Sequence, residues 1–569
     1  MKLTKTGIGL LTRLYRSILK KCFLINAGLW FIATSAILPN QAEAITANNL
    51  LTYMNSGSVS WIIDSEATEA KSVVFDEITK TATGTIGIYT GNEITYYTYT
   101  YTTPYDASER IPNAGGNVEN KYFYNQAAGS ETSVHGGGVN VSAYNVNIKA
   151  DFIKNSANHG YGGALYSSPA LNEVAGVYIG NHAAQAGGAM EIYGSTTNSI
   201  IGDFINNSAV SSAGALFTSS NTYKLISGNF IGNKTSSGGA IETGHTVYSP
   251  TNIKDLSGNF IGNYATGYGG AIYHADHFRT VTLTAKTQDT LFYGNQASSV
   301  ESGHAVYNNG TLNLNANSGQ SIIFDTGEDN GLNQSIAGSG TLTVNKTEVD
   351  DVDNQGTISF ADVSGNSLDI GGGTVLFKGK TSLNDLTAGN ATLDFRNKSA
   401  DILSLNNLTI NNDIIMSIDA DLRALIADNF SAETYSITGN VILQNIDLSG
   451  LSSSNNVNIQ LTDNAALMSA YAVANDVGGS ASLFYDSISY DSNTGILTFS
   501  EKTGLNKIIG AWNDGNYILA YDANNDAKTS IGANLTALDS AIFTLSDSLS
   551  NNYYMKNNKK YKKLDIFIT

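Results

Sequence analysis

A chain of 569 residues with 57 glycines, five prolines and 14% charged residues is long enough for several domains. It also suits one solenoid, in which each coil touches only its neighbours and size has no ceiling. The formal charge is −18 at pH 7, and because residues 1–44 carry six Lys/Arg against one Glu, net +5, the remainder is net −23. That acidity argues against nucleic acid as a partner and against a polybasic membrane patch.

Residues 1–44 read as a signal peptide. Lys2, Lys5, Arg13, Arg16, Lys20 and Lys21 form a basic leader, residues 22–38 are mostly apolar, and Ala42-Glu43-Ala44 offers a small-x-small cleavage pattern. An uncleaved anchor is the alternative, since the apolar run approaches the length of a short span. The single cysteine, Cys22, lies inside this segment, so a chain starting at Ile45 holds no disulfide although it enters an oxidising compartment.

Residues 45–115 are irregular. Trp61-Ile62-Ile63 and the alternating Tyr/Thr run 94–102 read as strands, and the segment is expected to blunt the open edge of whatever follows, as an N-terminal cap. A ligand-binding aromatic patch is the alternative for the tyrosines.

Residues 116–307 carry the strongest pattern in the chain. An aromatic-x-x-Asn phrase alternates seven times with a small-residue phrase. The first round is YFYN (122–125) with GGGV (136–139). Phe152 and Asn155 then precede Gly162-Gly163, Tyr178 and Asn181 precede Gly187-Gly188, and Phe204 and Asn207 precede Ala213-Gly214. Phe230 and Asn233 precede Gly238-Gly239, Phe260 and Asn263 precede Gly269-Gly270, and Phe292 and Asn295 precede Gly303-His304. The small phrases open at Gly136, Gly162, Gly187, Ala213, Gly238, Gly269 and Gly303, a solenoid period of roughly 25 residues that stretches in the last two steps. The apolar runs between them are too short for helices, so the expected fold is all-β, a right-handed parallel β-helix with two or three short strands per coil. Each aromatic is expected to stack inward on the next, each Asn to join a hydrogen-bonded ladder at a turn, and each Gly pair to turn a corner.

The alternation of FxxN with GGA[ILV] resembles the passenger domains of the chlamydial polymorphic outer membrane proteins and related autotransporters. The match runs from Tyr122 to Tyr307. The resemblance implies a β-helical passenger exported through a C-terminal outer-membrane barrel, with adhesion as the activity. A Cys-free chain suits threading through a narrow pore.

Beyond the repeats, Gly310-Thr311, Gly340-Thr341, Gly356-Thr357, Gly373-Thr374 and Ala391-Thr392 open short alternating strands. The closer spacing of Thr341, Thr357, Thr374 and Thr392 predicts shorter coils, a narrower β-helical stalk over 308–410. Residues 411–530 read as a C-terminal β region, with strands at 441–443, 458–461 and 496–499 and a hairpin turn at 491–495. Leu535, Leu538, Ile542, Leu545 and Leu549 make a helical stripe, so 531–550 is expected as a short C-terminal helix, the linker that the resemblance places before a barrel. The Lys-rich tail 551–569 leaves no room for such a barrel, which needs at least about eight strands, so a truncation product is expected there.

No catalytic, cofactor or metal site is assigned. The acidic run Glu348-Val349-Asp350-Asp351-Val352-Asp353 reads as an exposed loop, and 522–526 fails as a calcium loop because Ala527 and Ala533 stand where Gly and Glu are needed. His274 and His277, three apart, cannot face the same way on one strand. With the other five histidines, His135, His159, His182, His245 and His304, they read as polar loop residues, His304 as drift from a repeat glycine. The expected function is a secreted or surface-exposed adhesin whose partners are host or neighbouring-cell components, protein or glycan, with no cofactor. Outer-membrane association would come only through a translocator that this chain lacks. A β-helical polysaccharide lyase or hydrolase and a structural spacer are the alternatives.

Overall fold

The computed structural model describes most of residues 59–501, with breaks that include 65–72, 103–107, 128–134, 245–251, 327–331 and 451–455, together with 553–556 and 559–562. Over that range the chain is an all-β parallel solenoid of about 12 turns. Its coils present three parallel faces. The longest strands, such as Val146–Ile153, Leu171–Ile179 and Thr196–Ile205, end in the aromatic-x-x-Asn phrase. Two-residue strands such as His182–Ala183 follow each Asn, and three-residue strands such as Leu165–Ser167 follow each small phrase.

Register follows the repeat. Phe152 pairs with Tyr178, Tyr178 with Phe204, Phe204 with Phe230, Phe230 with Phe260 and Phe260 with Phe292. From Tyr122 to Phe292 the rings stack with centroids 4.7–5.1 Å apart and planes within 13°. All six of those from Phe152 to Phe292 are buried. Each such pair adds about 0.5–1.5 kcal/mol beyond its buried area. The column continues through Phe324, Phe360, Phe377 and Phe395 and ends edge-on at Phe430, so the repeats and the stalk share one core.

The glycine pairs turn the corners. Gly162 has φ +64°, and a Cβ on Gly163 would stand 2.1 Å from the carbonyl oxygen of Gly188 in the next coil. His304 occupies the Gly163 position in the last repeat, where the coil above supplies a different contact. The Ser335 hydroxyl there accepts from the His304 backbone N–H at 2.9 Å.

Two expectations are revised. Thr341 and Thr357 do not lie one coil apart: Thr311 pairs with Thr341 and Thr341 with Ser367, while Ser321 pairs with Thr357 and Thr357 with Thr374. The step from Thr341 to Thr357 therefore joins two neighbouring strands of one coil. The steps from Thr357 to Thr374 and from Thr374 to Thr392 are true short coils, and the register widens again where Ile415 pairs with Ile442.

The segment expected as an end cap lies instead along the flank. Its strands, Val59–Ile63, Glu93–Thr102, Thr81–Thr90 and Val74–Asp76, form an antiparallel sheet in that spatial order. Tyr97, Tyr99 and Tyr101 alternate inward, which buries them. The sheet meets successive coils at the third residue of the aromatic-x-x-Asn phrase. The Tyr124 hydroxyl accepts from the Phe75 N–H at 2.9 Å, the Asn206 amide donates to the Thr85 carbonyl at 3.4 Å, and Gly180, Gly232 and Gly262 lie against Val73, Ile86 and Ile88.

At the other end Tyr471–Gly478 pairs parallel with Val441–Gly450. A three-stranded antiparallel sheet of Asn456–Gln460, Ile496–Glu501 and Tyr485–Asp491 closes the core with Val457, Ile459, Leu497 and Phe499. The turn at Asp491 forms, with the Gly495 N–H donating to the Asp491 carbonyl at 2.8 Å. Residues 1–44 and the helical stripe at 531–550 lie outside the described residues, and part of the Lys-rich tail forms a hairpin, Tyr553–Lys556 with Lys559–Lys562. Among the described residues no helix is long and apolar enough to cross a membrane.

Candidate functional site

The Asn ladder forms and is interior. Asn181 Nδ2 donates to Asn207 Oδ1 at 2.9 Å and to the Phe152 carbonyl at 2.9 Å, while Asn207 Oδ1 also accepts the Asn181 N–H at 3.0 Å. The same three bonds recur at Asn155, Asn207, Asn233 and Asn263. At Asn295 the acceptor becomes Gln334 Oε1, at 2.8 Å from Nδ2, so Gln334 terminates the row. Gln334 carries no repeat signal in the sequence, because the chain lengthens before the ladder's last step. With these residues buried, the ladder holds coils in register and offers nothing to a partner.

The outward side of the small-phrase face is different. There the residue two after each alanine forms one column, in register: Tyr166, Glu191, Phe217, Glu242, Tyr273 and Tyr307. Its signal in the sequence is the last residue of GGALY, GGAME, AGALF, GGAIE, GGAIY and GHAVY. Other rings join it. His135 lies 4.4 Å from Tyr166 by centroid, Tyr193 lies 6.5 Å from Tyr166, and Tyr268 lies 4.6 Å from Tyr307 and 5.9 Å from Tyr273. Tyr193 and Tyr268 keep 40% and 46% of their surface exposed.

Two carboxylates stand in this column. Glu191 is fully buried, and neither of its side-chain oxygens meets a hydrogen-bond donor. Burial pushes its pKa well above the usual carboxylate range. Glu242, two coils on, is pushed up to about 8, mainly by burial, against hydrogen bonds from Ser212 and the Ala213 backbone and the positive charge of Arg279.

A second polar cluster lies in the later coils. Arg396 donates to both Asp394 oxygens, at 3.0 Å from Nε and 2.8 Å from Nη2, and to Asp447 at 3.2 Å. Asp428 accepts from the Asp401 and Asp419 N–H groups at 2.7 and 2.6 Å, with burial raising its pKa to about 8. The Arg396–Asp447 and Asp401–Asp428 contacts tie one coil to another, while Asp394 and Arg396 lie two residues apart.

The histidines are not all loop residues. His274 is buried on a strand with Nδ1 2.8 Å from Asn308 Oδ1, and His304 is buried and accepts the Ala297 N–H at 3.0 Å. The alternation of the strand Ile272–His274 turns His274 inward, because its position follows the apolar Ile272 by two. His182 opens the short strand His182–Ala183, and His245 lies outside the described residues. Of the acidic run, Glu348, Asp351 and Asp353 are exposed as expected, and Asp353 Oδ1 accepts the Ser318 and Gln355 N–H groups. Residues 522–526 lie outside the described residues. No group of three metal-ligating side chains occurs among the described residues.

No family model matches the chain, and no curated protein or solved structure is detectably similar to it.

Proposed function

We propose that this chain is an exported, passenger-type β-helix that works by adhesion, binding a protein or glycan of a host or neighbouring cell along its lateral face. The observation that carries this reading is the outward column of rings on the small-phrase face. Tyr166, Tyr273 and Tyr307 in that column, with Tyr193 and Tyr268 beside it, present large, rigid contact area at low entropic cost, with hydroxyls at the rim. The leader pattern of residues 1–44, the lack of cysteine after Cys22 and the acidic surface support export. The FxxN and GGA[ILV] phrases support the autotransporter resemblance, with the adhesin role coming from that resemblance.

A hydrolase would need a carboxylate pair that a sugar can reach. Glu191 and Glu242 are the best placed pair, yet Phe217 stands between them and Glu191 has no exposed surface, which favours binding over hydrolysis. The test is adhesion of the purified chain to cells, matrix proteins and a glycan array, alongside a variant with Tyr166, Tyr193, Tyr268, Tyr273 and Tyr307 changed to Ser. Binding that falls at least about tenfold in the variant supports the reading. Equal binding by both chains, or none by either, contradicts it.

A further inference from the structure

We infer that Glu191 and the rings around it form a receptor for an ammonium group carried on an unbranched alkyl arm, as at the end of a lysine side chain. The floor is a carboxylate with two acceptor oxygens and no donor for either. A buried acceptor left without a partner is a cost that native interiors rarely carry, and one that a ligand's N–H groups would remove. The walls are aromatic. On the same column Tyr166 stands one coil before Glu191 and Phe217 one coil after it. Tyr193, two residues further along the chain, stays 40% exposed with its ring tilted 48° to that of Tyr166. Aromatic faces attract cations, and since Glu191 has no exposed surface an arm must part the surrounding rings to reach it, which favours a narrow stem over a broad head.

Glu242 supplies the contrast. It occupies the same column, but only one of its oxygens, Oε2, is buried without a donor, and Ser212, the Ala213 backbone and nearby Arg279 oppose the rise in its pKa. Glu191 has none of these. The titratable groups around it are Tyr161, Tyr166 and Tyr223, whose pKa values its charge helps to raise, with Tyr193 beside them and His135 against the Tyr166 ring. Burial raises Tyr161, Tyr166 and Tyr223 and lowers His135, so none of those four carries charge at pH 7. Burial raises the pKa of the empty Glu191 carboxyl and an arriving ammonium lowers it, so a proton held there passes to solvent without any covalent change. Binding is therefore linked to proton release, which a purely apolar pocket would not show.

The experiment is calorimetric titration of the full chain with n-butylammonium and, in parallel, with Nα-acetyl-lysine methylamide, in two buffers of different ionisation heat at pH 6 and pH 7. The expected result is saturable binding of both probes with net proton release, and affinity that rises from pH 6 to pH 7. Binding of the small amine alone would restrict the source to free amines, while the lysine probe reports access for a protein side chain. Glu191→Gln is expected to lose at least about tenfold in affinity, Glu242→Gln to bind as the parent does, and n-butanol not to compete. If Glu191→Gln does not fold, Tyr193→Ala at the mouth replaces it and must weaken binding. No saturable binding by the parent chain, or unchanged binding by Glu191→Gln, overturns the inference. The site deepens the surface-binding reading, but the two fail separately: a chain that adheres to cells without binding the amine loses only this receptor, and the reverse result loses only adhesion.

Discussion

At the residue scale the interior is governed by side chains that each satisfy several buried groups. Changing Asn207 to Ala removes the acceptor of the Asn181 N–H and of one of its amide bonds, and a donor to the Tyr178 carbonyl, inside a dry column. The expected cost is about 3 kcal/mol or more, read as a lower denaturant midpoint. Backbone strain gives a pair of opposite signs. Gly232 sits at φ +63° with Ile86 2.8 Å from the position of a Cβ, so Gly232→Ala should destabilise by more than about 1 kcal/mol. Ala213 holds φ 51° where the other corner residues are glycine, so Ala213→Gly relieves strain while losing one buried methyl. Its midpoint should stay within about 1 kcal/mol of the parent. The buried acids set a pH dependence. Glu242 ordinarily titrates at 4.5 and is raised to about 8 in the fold, so the folded chain binds the extra proton between those values. Stability from this group is full below about pH 4.5 and is lost as pH rises towards 8. Asp428, also raised to about 8, acts in the same direction. Denaturant midpoints should fall from pH 5 to pH 8, and Glu242→Gln with Asp428→Asn should flatten the decline.

At the scale of elements, the repeat region was legible because its periodicity reports the core directly. An aromatic that must stack on its equivalent and an Asn that must bond its equivalent recur at coil length, so spacing alone gives their positions. The stalk was less legible, since a threonine entering a strand looks the same on either of two strands of one coil, and sequence distance cannot tell them apart. Phe324, Phe360, Phe377 and Phe395 continue the column without an Asn three residues on, so the aromatic-x-x-Asn phrase ends with Phe292. The outward column containing Glu191 was less legible for a related reason: the glycines of the small phrase are fixed by the corner, whereas the residue two past the alanine varies among Tyr, Phe and Glu. The flank sheet was visible as strands, but its seat was not, because the contacts that fix it join positions distant in the chain, Thr85 with Asn206 and Ile88 with Gly262. Disrupting that seat with Tyr97→Ala and Tyr99→Ala should leave the coils folded. Protease cleavage within 59–102, mapped by mass spectrometry, should rise well before cleavage within 139–261.

At the scale of the whole molecule, one core from Tyr122 to Phe430 makes length a variable that whole coils can change. The export reading predicts that the N-terminus of protein recovered from the cell surface, sequenced by mass spectrometry, begins near Ile45. The claim beneath every other is that equivalent residues of successive coils lie directly over one another. Thermal unfolding of a chain lacking residues 264–295 tests it most directly, because that deletion removes one Asn-to-Asn step and lets Asn263 meet Gln334 as Asn295 does. A single cooperative transition with parent-like β-sheet circular dichroism is predicted, together with loss of both in a chain lacking only residues 264–279. Equal damage from the two deletions would contradict stacked, interchangeable coils.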